Sequence, residues 1–208
     1  MRKGMGVLAL AAAALATLVP AGAQAQHRLI AAWDAPSFMS PGPHDDIGFY
    51  YVKPSDTDGG LAVTWRQSGR VGLGVRGEYI HDIFGAHWGI GAEIKGGLGQ
   101  VAPPLAFNWT AGVGALVGSG ESDLRIPVGL TIGLRLASGD LVLTPYVHPR
   151  VSLAYVSFDN GGSDSALQFD TDVGADLQLT PEVVLRFGGT FGDQPAVGAG
   201  LALRLGRF

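Results

Sequence analysis

The sequence predicts an all-β chain closed into an antiparallel barrel that turns its apolar side outward. Three observations lead there. Most of the chain alternates apolar and polar residues with period two, the polar set carries ionised side chains that no interior accepts unpaired, and aromatic residues of the apolar set gather near strand ends. Composition agrees: 33 glycines in 208 residues, 47% hydrophobic and 15% charged residues and a mean hydropathy of +0.25. Without a G-X-Y period this is not collagen-like, and it is too apolar for a disordered polyampholyte. Zero cysteine excludes disulfides, thiolate metal sites, thiol catalysis and lipid attachment at a lipoprotein cysteine.

The first residues read as an address. Arg2 and Lys3 precede an apolar stretch at 7–19, and Ala23-Gln24-Ala25 is a small-x-small cleavage site, so residues 1–25 are expected to be a cleaved signal peptide that engages the secretion translocon. The stretch, backed by Pro20, is shorter than the ~20 residues a spanning helix needs, and no later run reaches that length. Cleavage would leave 183 residues and, without Arg2 and Lys3, a net charge of −6 instead of −4. Residues 26–46 are expected to form a periplasmic lead-in and 47–208 the barrel.

The strands follow in order. Residues 47–53 and 61–66 fit the template in short form. In 70–80, Val71, Leu73, Val75 and Tyr79 alternate with Arg70, Gly72, Gly74, Arg76 and Glu78; in 87–95, Trp88, Ile90, Ala92 and Ile94 oppose His87, Gly89, Gly91, Glu93 and Lys95. Residues 108–117 set Trp109, Ala111, Val113, Ala115 and Val117 against Asn108, Thr110, Gly112 and Gly114. Residues 125–135 set Ile126, Val128, Leu130, Ile132 and Leu134 against Arg125, Pro127, Gly129, Thr131, Gly133 and Arg135. Residues 141–157 read as one long strand that Pro145 and Pro149 bend or confine. Residues 167–179, 183–191 and 197–206 complete the set, the first with Gln168, Asp170, Asp172, Gly174, Asp176 and Gln178 on its polar face. Ten strands are counted, with eight as the alternative if the first two are misread.

Alternation also suits a soluble sheet, so the connections must discriminate. With the first strand rising, one end receives 67–69, 96–106, 137–140 and 180–182, of which all but 96–106 are tight. The other end receives 54–60, 81–86, 118–124, 158–165 and 192–195, richer in Asp, Ser and Gly. Short turns at one end and longer polar loops at the other predict a closed antiparallel transmembrane β-barrel. Tyr79, Trp88, Tyr155, Phe169 and Phe191 fall at outer strand ends and Trp65 and Trp109 at inner ends, as two interfacial aromatic girdles would.

The chain ends on Phe208, directly after its last alternating strand. Signal peptide, strand pattern from about Ile47 and terminal aromatic together resemble the small outer-membrane β-barrel proteins of Gram-negative bacteria, the group that includes opacity-protein-like barrels. The resemblance implies residence in outer-membrane lipid and recognition of Phe208 by the barrel-assembly machinery. Phe208 shares its register with Arg204 and Gly206 and follows Arg207, so the match is architectural and transfers no catalytic or binding motif.

The polar face then becomes the lumen. Its charges are Arg66, Arg70, Arg76, Lys95, Arg125, Arg135, Arg150, Arg186 and Arg204 against Glu78, Glu93, Asp170, Asp172 and Asp176. They could line a narrow pore or a polar-solute site; the ordinary alternative, favoured here, is that a small barrel fills its interior with paired side chains. The inward glycines could open a cavity, make room for long arginines or let the strands coil, and this choice stays open. His81, Asp82 and His87 bracket one outer loop but lack metal-ligand spacing, so solvated loop residues are expected. His148, facing the lumen between Tyr146 and Arg150, lacks a serine in catalytic company and reads as a core hydrogen-bonding residue. His44-Asp45-Asp46 looks like a turn, and the sequon Asn108-Trp109-Thr110 lies inside a strand. No cofactor or metal is expected. An acidic chain without a basic run, whose Gly-x-Gly pieces sit within strands, gives no sign of nucleic-acid or nucleotide binding.

The functional expectation is an integral outer-membrane barrel, not an enzyme, with a structural, adhesin-like or slow small-solute-passage role and an occluded polar lumen. The alternatives are an outer-membrane enzyme acting on envelope lipid or surface peptides, and a soluble periplasmic ligand-binding barrel.

Overall fold

The computed structural model describes residues 32–42, 45–82, 85–98, 104–118, 120–139, 141–159 and 161–206. The expected signal peptide, His44, Arg207 and Phe208 lie outside the described residues. The strands are β1 (Asp46–Pro54), β2 (Gly59–Gln67), β3 (Val71–Asp82), β4 (Gly85–Gly97), β5 (Leu105–Gly118), β6 (Glu121–Leu134), β7 (Leu136–Ser138), β8 (Leu141–Phe158), β9 (Ser163–Gln178), β10 (Val183–Gly192) and β11 (Ala196–Arg204). Every pairing is antiparallel. β1 pairs with β11, and β6 pairs with β8, which closes the sheet on itself. β7 continues β6 beyond Arg135 along the same partner, so the wall is a closed ring of ten strands. The two short first strands are both present, which removes the eight-strand alternative.

Alternation decides which way each side chain points. On β2, Leu61, Val63 and Trp65 are exposed while Ala62, Thr64 and Arg66 are buried. On β6, Leu124, Ile126, Val128 and Leu130 face out and Asp123, Arg125 and Thr131 face in. A one-residue slip would bring every apolar side chain of a strand inward and push its charges out, so register is strongly specified. The outer wall is thus a largely apolar belt, with Ile90 67% and Leu61 62% exposed, while Arg66, Arg76, Arg125, Arg150 and Arg186 are buried inside.

The connections differ from the sequence expectation. The end where β1 starts and β11 finishes, here the lower rim, carries connections 68–70, 98–104, 139–140 and 179–182; the upper rim carries 55–58, 83–84, 119–120, 159–162 and 193–195. The upper connections are not longer. The Asp-, Ser- and Gly-rich stretches read as loops are strand tips, because ladder pairing continues past the apolar belt, as in Tyr155↔Ser165 and Ser157↔Ser163. What distinguishes the upper rim is that polar strand extension.

Two arginines assigned to the lumen are exposed at the lower rim instead. Arg70 lies in the turn before β3, and Arg135 occupies the break between β6 and β7, where its backbone N–H donates to Pro104 O at 3.0 Å. Alternation holds only within a continuous ladder, so it gave both residues the wrong face.

The largest addition concerns the segment before β1. Residues 32–42, part of the stretch expected as a periplasmic lead-in, lie within the barrel. Trp33 and Phe38 are 1% and 0% exposed. They form an apolar core with Tyr50, Val52, Ala62, Ile80 and Leu116 from the inner wall, while Ala32 and Ala35 pack with Ala196 near the upper rim. Lys95 and Asn108, close to the lower rim, meet residues 40–42, so the segment runs down the lumen before the chain turns back up into β1.

Candidate functional site: the filled lumen

The site is built from inward positions of all ten wall strands around residues 32–42. Its wall donors address main-chain carbonyls of the segment. Arg76 donates to Pro36 O at 2.6 Å and Ala35 O at 3.4 Å; Arg66 donates to Ser37 O at 2.8 Å and Phe38 O at 3.2 Å. Lys95 Nζ donates to Gly42 O at 2.9 Å and Ser40 O at 3.4 Å, and Asn108 Nδ2 to Pro41 O at 3.0 Å. An irregular buried segment without ladder partners must satisfy its carbonyls somehow, and a guanidinium fork does so two at a time.

Each of these arginines is also held from the wall. Arg76 bonds Glu78 at 2.8 Å, two positions along the same face of β3, and Arg66 bonds Glu93 at 2.6 Å. Across the lumen, Arg186 makes a bidentate pair with Asp176 (2.8 and 3.0 Å) and further bonds to Asp46 (3.1 Å) and Tyr50 Oη (2.8 Å). Arg125 bonds Asp123 at 2.5 Å. Arg150 pairs with Asp34 of the inner segment and lies 3.3 Å from Asp172. Arg204 donates to Gln178 Oε1 at 2.9 Å near the lower rim, and Asp170 accepts the Gln194 N–H at 2.9 Å near the upper one. Pairing and multiple hydrogen bonds are what such burial requires, since an unpaired ion in low dielectric is strongly destabilising.

Apolar seats complete the fit. The Trp33 ring lies against Gly91 and Gly114, where added Cβ atoms would fall 2.1 and 2.5 Å from it; Pro41 sits against Gly133 and the tip of Phe38 against Gly198. Phe38 also stacks on Tyr50 with centroids 4.3 Å apart. The open question about inward glycines is answered twice: these four make room for the segment, while Gly74, Gly89 and Gly129 make room for Glu93, Glu78 and His148. The gap lined by Met39, Arg66, Gly72, Leu73, Gly74, Glu93 and Lys95 has no space for a water molecule.

The serine that meets His148 comes from the inner segment. Ser37 Oγ lies 2.9 Å from His148 Nδ1 and donates to Asp172 Oδ2 at 2.7 Å; Asp172 is itself 2.9 Å from the same Nδ1, and Thr110 meets Nε2 at 2.9 Å. A nucleophilic relay places serine and carboxylate on opposite ring nitrogens. Here both sit on one, and Thr190 Oγ1 donates to Asp172 Oδ1 at 2.5 Å, so the group ties the segment to the wall.

The outer-loop histidines do not converge. His81 pairs with Asp58 at 3.2 Å in solvent, while His87 is buried and pairs with Asp82 at 3.1 Å. No cluster of three or more metal-ligating side chains occurs among the described residues. Of the aromatics read as girdles, Trp65, Trp88, Tyr155, Phe169 and Phe191 are exposed on the outer wall; Tyr79 is half-buried beside Trp88 at 4.7 Å, and Trp109 is half-buried across Gly96.

Sequence reasoning missed Asp34, Ser37, Asp46 and Asp123 as lumen residues. Asp123 was within reach, because the β6 alternation continues through it two positions before Arg125. Asp34 and Ser37 carried no signal, since their segment has no period.

No protein-family model matches the chain, and a search of curated proteins returns no match. Solved structures resemble it in fold. The KdgM porin is 10% identical over 77% of this chain and 99% of its own, with a TM-score of 0.40. The N-terminal β-barrel domain of Pseudomonas aeruginosa OprF is 11% identical over 78% and 98%, TM-score 0.37. A de novo designed transmembrane β-barrel is 18% identical over 80% and 100%, TM-score 0.38.

Proposed function

We propose that the chain is an integral outer-membrane β-barrel with a structural or adhesin-like role, closed to bulk solute flow in the state described. The observation that carries this reading is the pairing of an outward apolar belt with a lumen filled by residues 32–42. A ring of about ten strands has little interior to begin with, and the ion pairs and glycine seats take up what there is. An apolar wall of this extent is suited to lipid: large exposed apolar patches are rare on soluble monomers. Outer-membrane lipid and the barrel-assembly machinery are the partners this role entails, in the manner of the opacity-protein-like group. Catalysis plays no part in the proposal: Ser37, His148 and Asp172, the buried Ser–His–Asp group among the described residues, join residues 32–42 to the wall.

Fractionation with heat-modifiable gel mobility, followed by planar-bilayer recording of the purified protein, tests it. The folded form should partition with outer membranes and show no large, long-lived conductance. Recovery as a soluble periplasmic protein would overturn the membrane placement, and steady porin-sized openings would overturn the closed lumen.

A further inference from the structure

The bonds that hold residues 32–42 have an unusual chemistry. Arg66, Arg76, Lys95 and Asn108 all donate to main-chain carbonyls, seven hydrogen bonds in total, and the side-chain ties are confined to Asp34 and Ser37. The wall adds a file of cationic and amide donors along the lumen that address the main-chain carbonyls of a turn-rich segment, beside the glycine seats that fit Trp33, Phe38 and Pro41. Two of the donors, Arg76 and Arg66, do not depend on the segment for their own placement, since Glu78 and Glu93 hold them from the wall.

We infer that the lumen is a binding channel for a turn-forming, largely apolar polypeptide segment of the kind residues 32–42 present, and that residues 32–42 are its withdrawable occupant in cis. The inference rests on the barrel reading above and extends it. The chemistry of a competing ligand follows from the contacts: a peptide of mostly small residues, one acidic side chain to meet Arg150, and bulky rings only where Gly91, Gly114 and Gly198 leave room. A polycationic peptide is disfavoured by the arginines.

The experiment uses the full chain, a variant lacking residues 32–42, and the full chain carrying Trp33→Ala and Phe38→Ala. The probe is a fluorescent synthetic peptide with the sequence of residues 32–42. The deletion variant should keep heat-modifiable folding and bind the peptide saturably, and the full chain should not bind it. In bilayers the deletion variant should conduct, and the peptide should close it. Arg76→Ala in the deletion background should weaken binding about tenfold, the loss expected for charge-assisted hydrogen bonds. If the deletion variant does not fold, the doubly substituted full chain should instead show exchange of its segment for the peptide. A folded deletion variant that binds no peptide, equal binding by the full chain, or loss of folding in both variants overturns the inference. Loss of heat-modifiable mobility in the unmodified chain would instead count against the barrel reading, so the two failures are distinguishable.

Discussion

The Trp33 indole occupies the space that a side chain at Gly91 would fill: a Cβ there would fall 2.1 Å from the ring. A residue with no local pattern and a glycine in a strand thus define one another. Gly91→Leu should therefore overpack the lumen, destabilising the fold by about 1–3 kcal/mol or forcing residues 32–42 out. Gly77, on the same barrel, has nothing within 4 Å of an added Cβ, so Gly77→Leu should be neutral. Urea midpoints in lipid vesicles and protease cleavage within 32–42 check both; equal sensitivity would show that Trp33 is not seated there.

The outward belt carries a second prediction. Leu130 is exposed on the outer face of β6. Leu130→Arg should cost about 2–4 kcal/mol of vesicle-folding stability if that face meets the bilayer midplane. Measured in the same assay, an unchanged value would show that the belt does not meet lipid there. Thr131→Arg, on the inner face, should also be damaging, because Thr131 is 1% exposed and the filled lumen has no room for the longer chain.

Charge pairs on the two sides of the wall should differ sharply. Arg186→Met would strand Asp176 and Asp46 in the interior, an expected loss of about 3–5 kcal/mol. Asp58→Asn at the solvent-exposed pair with His81 should cost about 0–1 kcal/mol. Equilibrium unfolding of the two variants decides; similar losses would mean that the inner pair is hydrated.

The β8–β9 hairpin should accept an insertion. Its tip folds back through Phe158 N–H to Gly162 O (2.9 Å), and Gly161 has no neighbour crowding it. An epitope inserted between Gly161 and Gly162 should leave folding intact and stain intact cells. Staining only after permeabilisation would place the upper rim inside.

The wall was legible because period-two alternation is a local signal that β-ladders convert directly into inside and outside. Val63 and Thr64, or Leu130 and Thr131, could be assigned to faces with no knowledge of their partners. Arg70 and Arg135 show where that logic stops: a turn or a break in the ladder resets the register. The strand tips were misread as loops because Asp, Ser and Gly favour turns, yet cross-strand pairing carries them upward as sheet. Residues 32–42 were illegible for a different reason. They bond mainly through carbonyls, which every residue possesses, so nothing in Ala35, Pro36 or Phe38 announces the partner. The trace they left was on the opposite surface, in inward glycines bare enough to need something against them.

Closure of β1 against β11 makes a ring around a stretch of its own chain, like a bead on its own string. The bonds that hold string and bead are different bonds: the strand ladders join wall to wall, while Arg66, Arg76, Lys95 and Asn108 join wall to string. Sliding the one along the other therefore requires no ladder to open, and the order of events during assembly acquires a meaning. If the seam closes first, the string must be drawn through a finished hole; if the string is laid down first, the arginines find their carbonyls before the seam is shut, and residues 32–42 serve as the mandrel on which the strands are rolled.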